Sequence, residues 1–312
     1  MKKVIVILGQ TATGKSNWAV KIALRLRSGS STKKIGGEII SADSRQIYKG
    51  LDIGTGKITK KEMRGISHHL LDVINPKSKF SVAEYQKQAM YAIAEIQKRG
   101  KIPIICGGTG FYIDAITKGI IFPKVPPNLK LRKDLEKKSE LELFKILKKL
   151  DPERAKIIDL KNKVRLIRAI EIAKALGKVP RLTEKMPNYK FIKIGLYLPP
   201  DKLRKKVEKR VRKMFADGLL NEIKKLKRAG VSDKRLREFG FEYNNPTEEK
   251  VISETLKYAK RQMTWFKRFP EIIWEHDYKK IEALVEKALS ISSIEVDLSE
   301  ANVEAKDIKY ED

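Results

Sequence analysis

Gly9-Gln10-Thr11-Ala12-Thr13-Gly14-Lys15-Ser16 satisfies the pattern G-x-x-x-x-G-K-[ST] at every fixed position. The apolar run of residues 4–8 precedes it, and Trp18, Ala19, Ile22, Ala23 and Leu26 follow at helical spacing. Strand, loop and helix thus stand in the order that a phosphate-binding loop requires. Glycines let the backbone wrap an anion, while amides and the helix N-terminus point at it. Gly9, Thr11, Ala12, Thr13, Gly14, Lys15 and Ser16 are the expected cradle for a diphosphate or polyphosphate. Lys15 is expected at the terminal phosphate, and the Ser16 hydroxyl suits Mg²⁺.

Outward from this loop, short apolar runs recur at residues 38–41, 102–106 and 192–198, with helical patterns between them. Continuous apolar strands predict a buried, mostly parallel sheet covered by helices on both faces. Residues 81–99 read as one helix, because Ser81 and Glu84 make a capping-box pair and Gly100 stops it. Past Pro123, Pro126 and Pro127 the chain turns charged and helical in period. Residues 124–190 hold 20 Lys and Arg against 9 Asp and Glu, and residues 202–237 hold 15 against 4. The expected class is α/β, a P-loop NTPase-like parallel-sheet core with a helical insertion domain. Its expected divisions are a first core part at 1–121, a basic insertion at 122–190, a second core part with basic helices at 191–290, and a mobile acidic tail at 291–312.

The 312 residues carry 68 Lys and Arg against 39 Asp and Glu, a formal net charge of +29. That excess points to a polyanion larger than a nucleotide, with nucleic acid the leading candidate and a generally basic surface the plain alternative. Cys106, the only cysteine, sits in an apolar run, so packing is its expected role. An intramolecular disulfide and a cysteine zinc site are excluded, which fits a reducing cytoplasm. No stretch approaches the ~18 apolar residues of a membrane span. The apolar start runs into the glycine loop without a cleavage site, so it reads as a core strand and not as a signal peptide.

Asp43 follows the second apolar run, where strand ends face a ligand crevice. It suits a general base, a Mg²⁺ partner or a base-contacting acceptor, although Asp-Ser is also ordinary turn and cap chemistry. Gly107-Gly108-Thr109-Gly110-Phe111-Tyr112 ends the third run in the same way, with a tight turn as the equal alternative. His68 and His69 are neighbours and point apart, so structural roles are expected and not a shared metal.

Together with the loop, Asp43-Ser44-Arg45-Gln46-Ile47-Tyr48, residues 49–55, His68-His69-Leu70-Leu71-Asp72, the Gly107 to Tyr112 stretch and Lys260-Arg261-Gln262-Met263-Thr264-Trp265-Phe266 resemble, in order, the motifs of bacterial tRNA dimethylallyltransferases. The resemblance implies transfer of a dimethylallyl group from dimethylallyl diphosphate to N6 of adenosine 37, beside the anticodon, with release of diphosphate. It implies that Asp43 takes the N6 proton, with Thr109 and Lys15 in the catalytic set and Mg²⁺ as cofactor. It also implies tRNA contacts from Asp43, Ser44, Arg45, Gln46, Thr109, Arg165, Arg168, Arg261 and Gln262, the insertion gripping the anticodon stem-loop. A monomer is expected. One departure stands at Gly240-Phe241-Glu242, where members of the family commonly carry Gly-Tyr-Arg or Gly-Tyr-Lys. With that basic residue missing, Arg237 is expected to complete the diphosphate clamp.

Other activities fit parts of the chain. A small-molecule or nucleotide kinase explains the phosphate loop but not the basic insertion. Prenylation of free adenine nucleotides needs no extended positive surface. An RNA-binding, NTP-dependent switch explains charge and loop but leaves Asp43 without a task.

Overall fold

The structure is a computed structural model that describes residues 1–28 and 36–290. The tail expected at 291–312 lies outside the described residues. The chain divides into two compact units, residues 1–117 with 187 onward, and Lys118–Met186.

The first unit is built on a parallel sheet. Its strands are β1 (Lys2–Gly9), β2 (Gly37–Ala42), β3 (His68–His69), β4 (Ile102–Gly107), β7 (Tyr189–Leu196) and β8 (Ile273–Trp274), ordered β3-β2-β4-β1-β7-β8. Ile5 of β1 pairs with Ile104 on one side and Ile192 on the other. Why the strands are apolar without alternation follows from their side chains. Val4, Val6 and Leu8 pack with the helices α3 (Val82–Lys98) and α4 (Gly110–Thr117). Ile5 and Ile7 pack with α1 (Lys15–Ser28) and α13 (Tyr278–Ser290) on the opposite face. Both faces are covered, so both alternating sets are buried. The expected helix at 81–99 is α3, and its Ser81–Glu84 capping box is formed.

The two-residue strands β3 and β8 escaped the sequence reading because they are too short for a period. At β3 the histidines are structural, as expected. His69 Nε2 lies 2.7 Å from Glu38, which also accepts from Arg99 at 2.8 Å and Lys101 at 2.7 Å. Burial opposes the charge of Glu38, yet hydrogen bonds from Lys101, Arg99 and His69 hold it down at about 2.

Three further helices of this unit carry the site, α9 (Pro200–Ala216), α10 (Leu219–Arg228) and α12 (Glu248–Phe266); α11 (Asp233–Phe239) lies between the last two, and the short α2 (Lys60–Met63) in the loop after β2. Parallel strands put the loops after β1, β2 and β4 on one edge, so the phosphate loop, Asp43 and Thr109 are brought together by topology alone.

The second unit holds α5 (Leu129–Leu135), α6 (Glu140–Leu150), α7 (Pro152–Ile157) and α8 (Lys163–Leu176) around Leu135, Leu143, Leu147, Leu166 and Ile170. An antiparallel pair, β5 (Ile120–Ile121) with β6 (Thr183–Glu184), joins its first and last residues. The unit therefore starts ahead of the proline cluster, at Lys118, and ends at Met186.

Candidate active site

The phosphate loop leaves β1 through a bend that selects its residues. Gly9 has φ +127°, and a Cβ there would fall on the carbonyl of Leu196 in the adjoining strand. Gly14 has φ +90°, and Ala12 adopts the left-handed region at φ +62° without being glycine. Thr13 Oγ1 donates to the carbonyl of Gln10 at 2.8 Å, and the Lys15 ammonium donates to the same oxygen. Burial lowers the Lys15 ammonium to about 8, and Arg210 adds to that while Asp43 opposes it. Cys106, pushed up to about 12 by burial, stays a thiol and hydrogen bonds with Ser16, in keeping with its expected packing role.

These values predict a proton linkage. An anion in the loop favours the charged ammonium and raises its pKa, so between about 8 and the ordinary lysine value of 10.5 binding takes up a proton and affinity falls as pH rises. Below that window Lys15 is charged in both states and adds no pH dependence. Calorimetry of diphosphate binding at a pH just above 8, in buffers of different ionisation enthalpy, compares wild type with Lys15→Met, because diphosphate itself titrates in this range; equal proton uptake in the two proteins would contradict the linkage.

Asp43 ends β2 in a turn. Its Oδ1 accepts from Arg45 N at 2.8 Å and Gln46 N at 3.2 Å, which leaves Oδ2 for other work. Thr109 Oγ1 accepts from Ser44 N at 3.1 Å and is also hydrogen bonded to the Tyr258 phenol, which burial pushes up to about 12. Lys15, Arg210, Glu242 and Tyr258 each lie near enough to Asp43 to interact with it electrostatically, so these groups are neighbours at the ends of the parallel strands. Gln46 Nε2 donates to Thr55 O at 3.3 Å, the carbonyl that Arg210 also reaches at 3.0 Å.

Two expectations need correction. Arg237 is exposed on α11, where it lies in the field of Asp233. The guanidinium that meets the phosphate loop is Arg210 of α9, which donates to Thr11 Oγ1 at 3.4 Å and Thr55 O at 3.0 Å. The physical reason is helix direction: α9 turns Arg210 inward, whereas α11 buries Leu236 and Phe239 and leaves Arg237 outside. Gln262, expected on tRNA, is 5% exposed on α12. Its Oε1 accepts from Thr11 N at 2.7 Å and its Nε2 donates to Gly108 O at 2.9 Å, so it fastens the phosphate loop to the glycine turn. Arg168, also expected on tRNA, is half-buried on α8, where it pairs with the buried carboxylate of Glu171 and donates to Val125 O at 2.9 Å while part of its side chain stays exposed. Arg165 on α8 and Arg261 on α12 are exposed, as an RNA contact requires.

Replacing Gln262 by Ala leaves the buried Gly108 C=O and the half-buried Thr11 N–H without this partner, at a cost of about 1–3 kcal/mol. Urea unfolding of Gln262→Ala is expected to read that loss, with the KM for a diphosphate substrate raised and tRNA affinity little changed. Wild-type stability in this variant would contradict the fastening role.

Two supporting carboxylates have opposite character. Glu222 on α10 accepts from Asp52 N at 3.0 Å, Ile53 N at 2.7 Å, Gly54 N at 3.1 Å and the Tyr243 hydroxyl at 2.8 Å, shaping the glycine-spaced loop that Arg210 touches. A signal for it exists in the sequence: Leu219, Glu222, Ile223 and Leu226 set one acid in an apolar stripe. Glu242 is pushed up to about 7 by burial, although Arg210 and Arg45 pull the other way. Arg210 itself, one cation in a run of many, has no such signal.

Residues 46–269 match the family described as IPP transferase. The chain is 39% identical over 310 residues to a tRNA dimethylallyltransferase of Halothermothrix orenii, covering 91% of each chain. It is also similar to the crystal structure of a full-length tRNA isopentenylpyrophosphate transferase from Bacillus halodurans, at 33% identity and a TM-score of 0.66 over 93% of this chain and 96% of that one. A eukaryotic dimethylallyltransferase acting on tRNA matches at 25% identity and a TM-score of 0.75, over 96% of this chain and 84% of that one.

Proposed function

We propose, from the premise that this chain belongs to the IPP transferase family, that it transfers a dimethylallyl group from dimethylallyl diphosphate to N6 of adenosine 37 in tRNA. One observation carries the mechanism. Lys15 and Arg210 stand at the phosphate loop and interact electrostatically with Asp43, which supports a diphosphate site with a carboxylate base nearby.

In this reading the loop amides, Lys15 and Arg210 bind the diphosphate and stabilise the charge that builds as the allylic C–O bond breaks. The electron pair of that bond leaves with the diphosphate. N6 forms the new C–N bond, and its proton passes to Oδ2 of Asp43, since Oδ1 is engaged by Arg45 and Gln46 amides. The exocyclic amine is a poor nucleophile, so much of the acceleration comes from positioning, and Thr109, fixed to Ser44 and Tyr258, supplies a hydroxyl beside N6. The target base must leave its stack to reach this depth. Arg45 and Arg261, with Arg165 in the insertion, are the proposed RNA contacts.

Magnesium suits the donors present. Among the described residues no group of three His, Cys, Asp or Glu side chains is arranged to hold a metal. A hard ion taking the Ser16 hydroxyl, substrate diphosphate oxygens and water matches that donor set, and the Ser16 hydroxyl has only a weak thiol partner to give up. When bound it would neutralise charge on the diphosphate.

Among the described residues no helix is long and apolar enough to cross a membrane. The test is incubation with unmodified tRNA, Mg²⁺ and dimethylallyl diphosphate, followed by nucleoside mass analysis. Adenosine heavier by one C5H8 unit is the expected product; ATP turnover without that product would return the kinase or the switch.

A further inference from the structure

Lysine enrichment is not spread evenly over this molecule. α3 carries two lysines and two glutamates, and α13 three lysines and two glutamates. α9 exposes Lys202, Arg204, Lys205, Lys206, Lys209, Arg212 and Lys213, against Asp201 and Glu208 on the same helix. A general basic drift would load all three helices alike.

The placement on α9 is also ordered. Leu203, Val207, Val211 and Met214 form its buried stripe. Lys202, Lys206, Lys209 and Lys213 follow at i, i+4, i+7 and i+11, a second stripe along one side of the helix. Arg210 lies next to this stripe and turns in to the phosphate loop. Successive lysines three and four apart repel one another, a penalty that a helix relieves when a polyanion lies along it. Acidic neighbours answer little of the charge: Lys213 pairs with Asp217 at 2.8 Å and Arg204 with Glu208 at 3.8 Å. The 17-residue helix is about 25 Å long, more than a diphosphate or a single nucleotide spans. Exposed Lys224, Lys225, Lys227 and Arg228 on α10 continue the charge, while the one acid of that helix, Glu222, faces inward.

We propose that the Lys202–Lys206–Lys209–Lys213 stripe of α9 is a docking surface for the phosphate backbone of the tRNA, separate from the base-reading site. The proposal rests on the tRNA reading above. Its contacts are to phosphates, so they add affinity without sequence preference and weaken as salt rises.

The test compares full-length wild-type protein with two triple variants of equal charge change, Lys202→Glu/Lys206→Glu/Lys209→Glu on the stripe and Lys279→Glu/Lys280→Glu/Lys287→Glu on α13. Affinity for an unmodified tRNA transcript is measured across a salt series, and the KM for dimethylallyl diphosphate in parallel. The stripe variant is expected to bind tRNA at least about tenfold more weakly, with a log K against log salt slope smaller by about 2–3, one unit per lost lysine contact. Its KM for dimethylallyl diphosphate stays at the wild-type value, and the α13 variant binds tRNA nearly as wild type does. Lys→Gln at the same three stripe positions lowers the slope in the same direction and guards against a helix disturbed by the glutamates. Equal losses in both Glu variants, or an unchanged slope in the stripe variants, overturn the proposal. A wild-type protein that neither binds nor modifies tRNA overturns the underlying reading, and the wild-type measurement tells the two failures apart.

Discussion

Asp43→Asn is expected to lower kcat for dimethylallyl transfer by about 10²–10⁴-fold, with affinities for tRNA and diphosphate close to those of the wild type. The reason lies in the two oxygens of this side chain. Oδ1 accepts from the amides of Arg45 and Gln46 and shapes the turn after β2. An asparagine carbonyl oxygen can take over that acceptance, so the turn and its Ser44–Thr109 hydrogen bond survive. What the amide lacks is a basic oxygen for the N6 proton. Asp43→Ala removes both functions and is expected to lose some stability as well. Single-turnover rates with saturating tRNA, set beside binding isotherms, separate these effects. Turnover of Asp43→Asn within a few-fold of wild type would remove the base assignment and leave Asp43 as a turn residue.

The second large effect is expected at Arg210. Its guanidinium links Thr11 of the phosphate loop with Thr55 of the glycine-spaced loop and brings the positive charge nearest the cradle besides Lys15. Arg210→Ala is expected to lower kcat/KM for dimethylallyl diphosphate by about 10²–10³-fold, the usual consequence of deleting one donor to developing charge. Arg210→Lys restores the charge but not the forked geometry, so rescue is partial. Arg237→Ala, on the exposed side of α11, serves as the control and keeps wild-type kinetics. Unchanged kinetics in Arg210→Ala would place the clamp elsewhere.

The departure at Glu242 fits the same site. Where a basic residue is common in the family, this chain places a carboxyl that burial holds near 7, close to Arg210, Arg45 and Asp43. Arg210 thus works against two neighbouring acids as well as for the diphosphate, which makes its removal more consequential here.

Much of this molecule follows from order and periodicity along the chain. The phosphate loop is legible because its glycines, lysine and serine occupy fixed offsets between an apolar strand and an amphipathic helix. The parallel sheet is legible because unbroken apolar runs mean strands covered on both faces, as Val4, Ile5, Val6, Ile7 and Leu8 are. Asp43 and Thr109 follow from topology, since parallel strands present their C-terminal loops on one edge. Local pattern has no purchase on the rest. Whether an arginine among eight cations of α9 points inward, and whether Gln262 reads RNA or fastens two loops, depend on partners 199 and 251 residues away in sequence. Such choices are made by packing and by the need to pair every buried donor and acceptor, and these conditions exist only once the chain has folded.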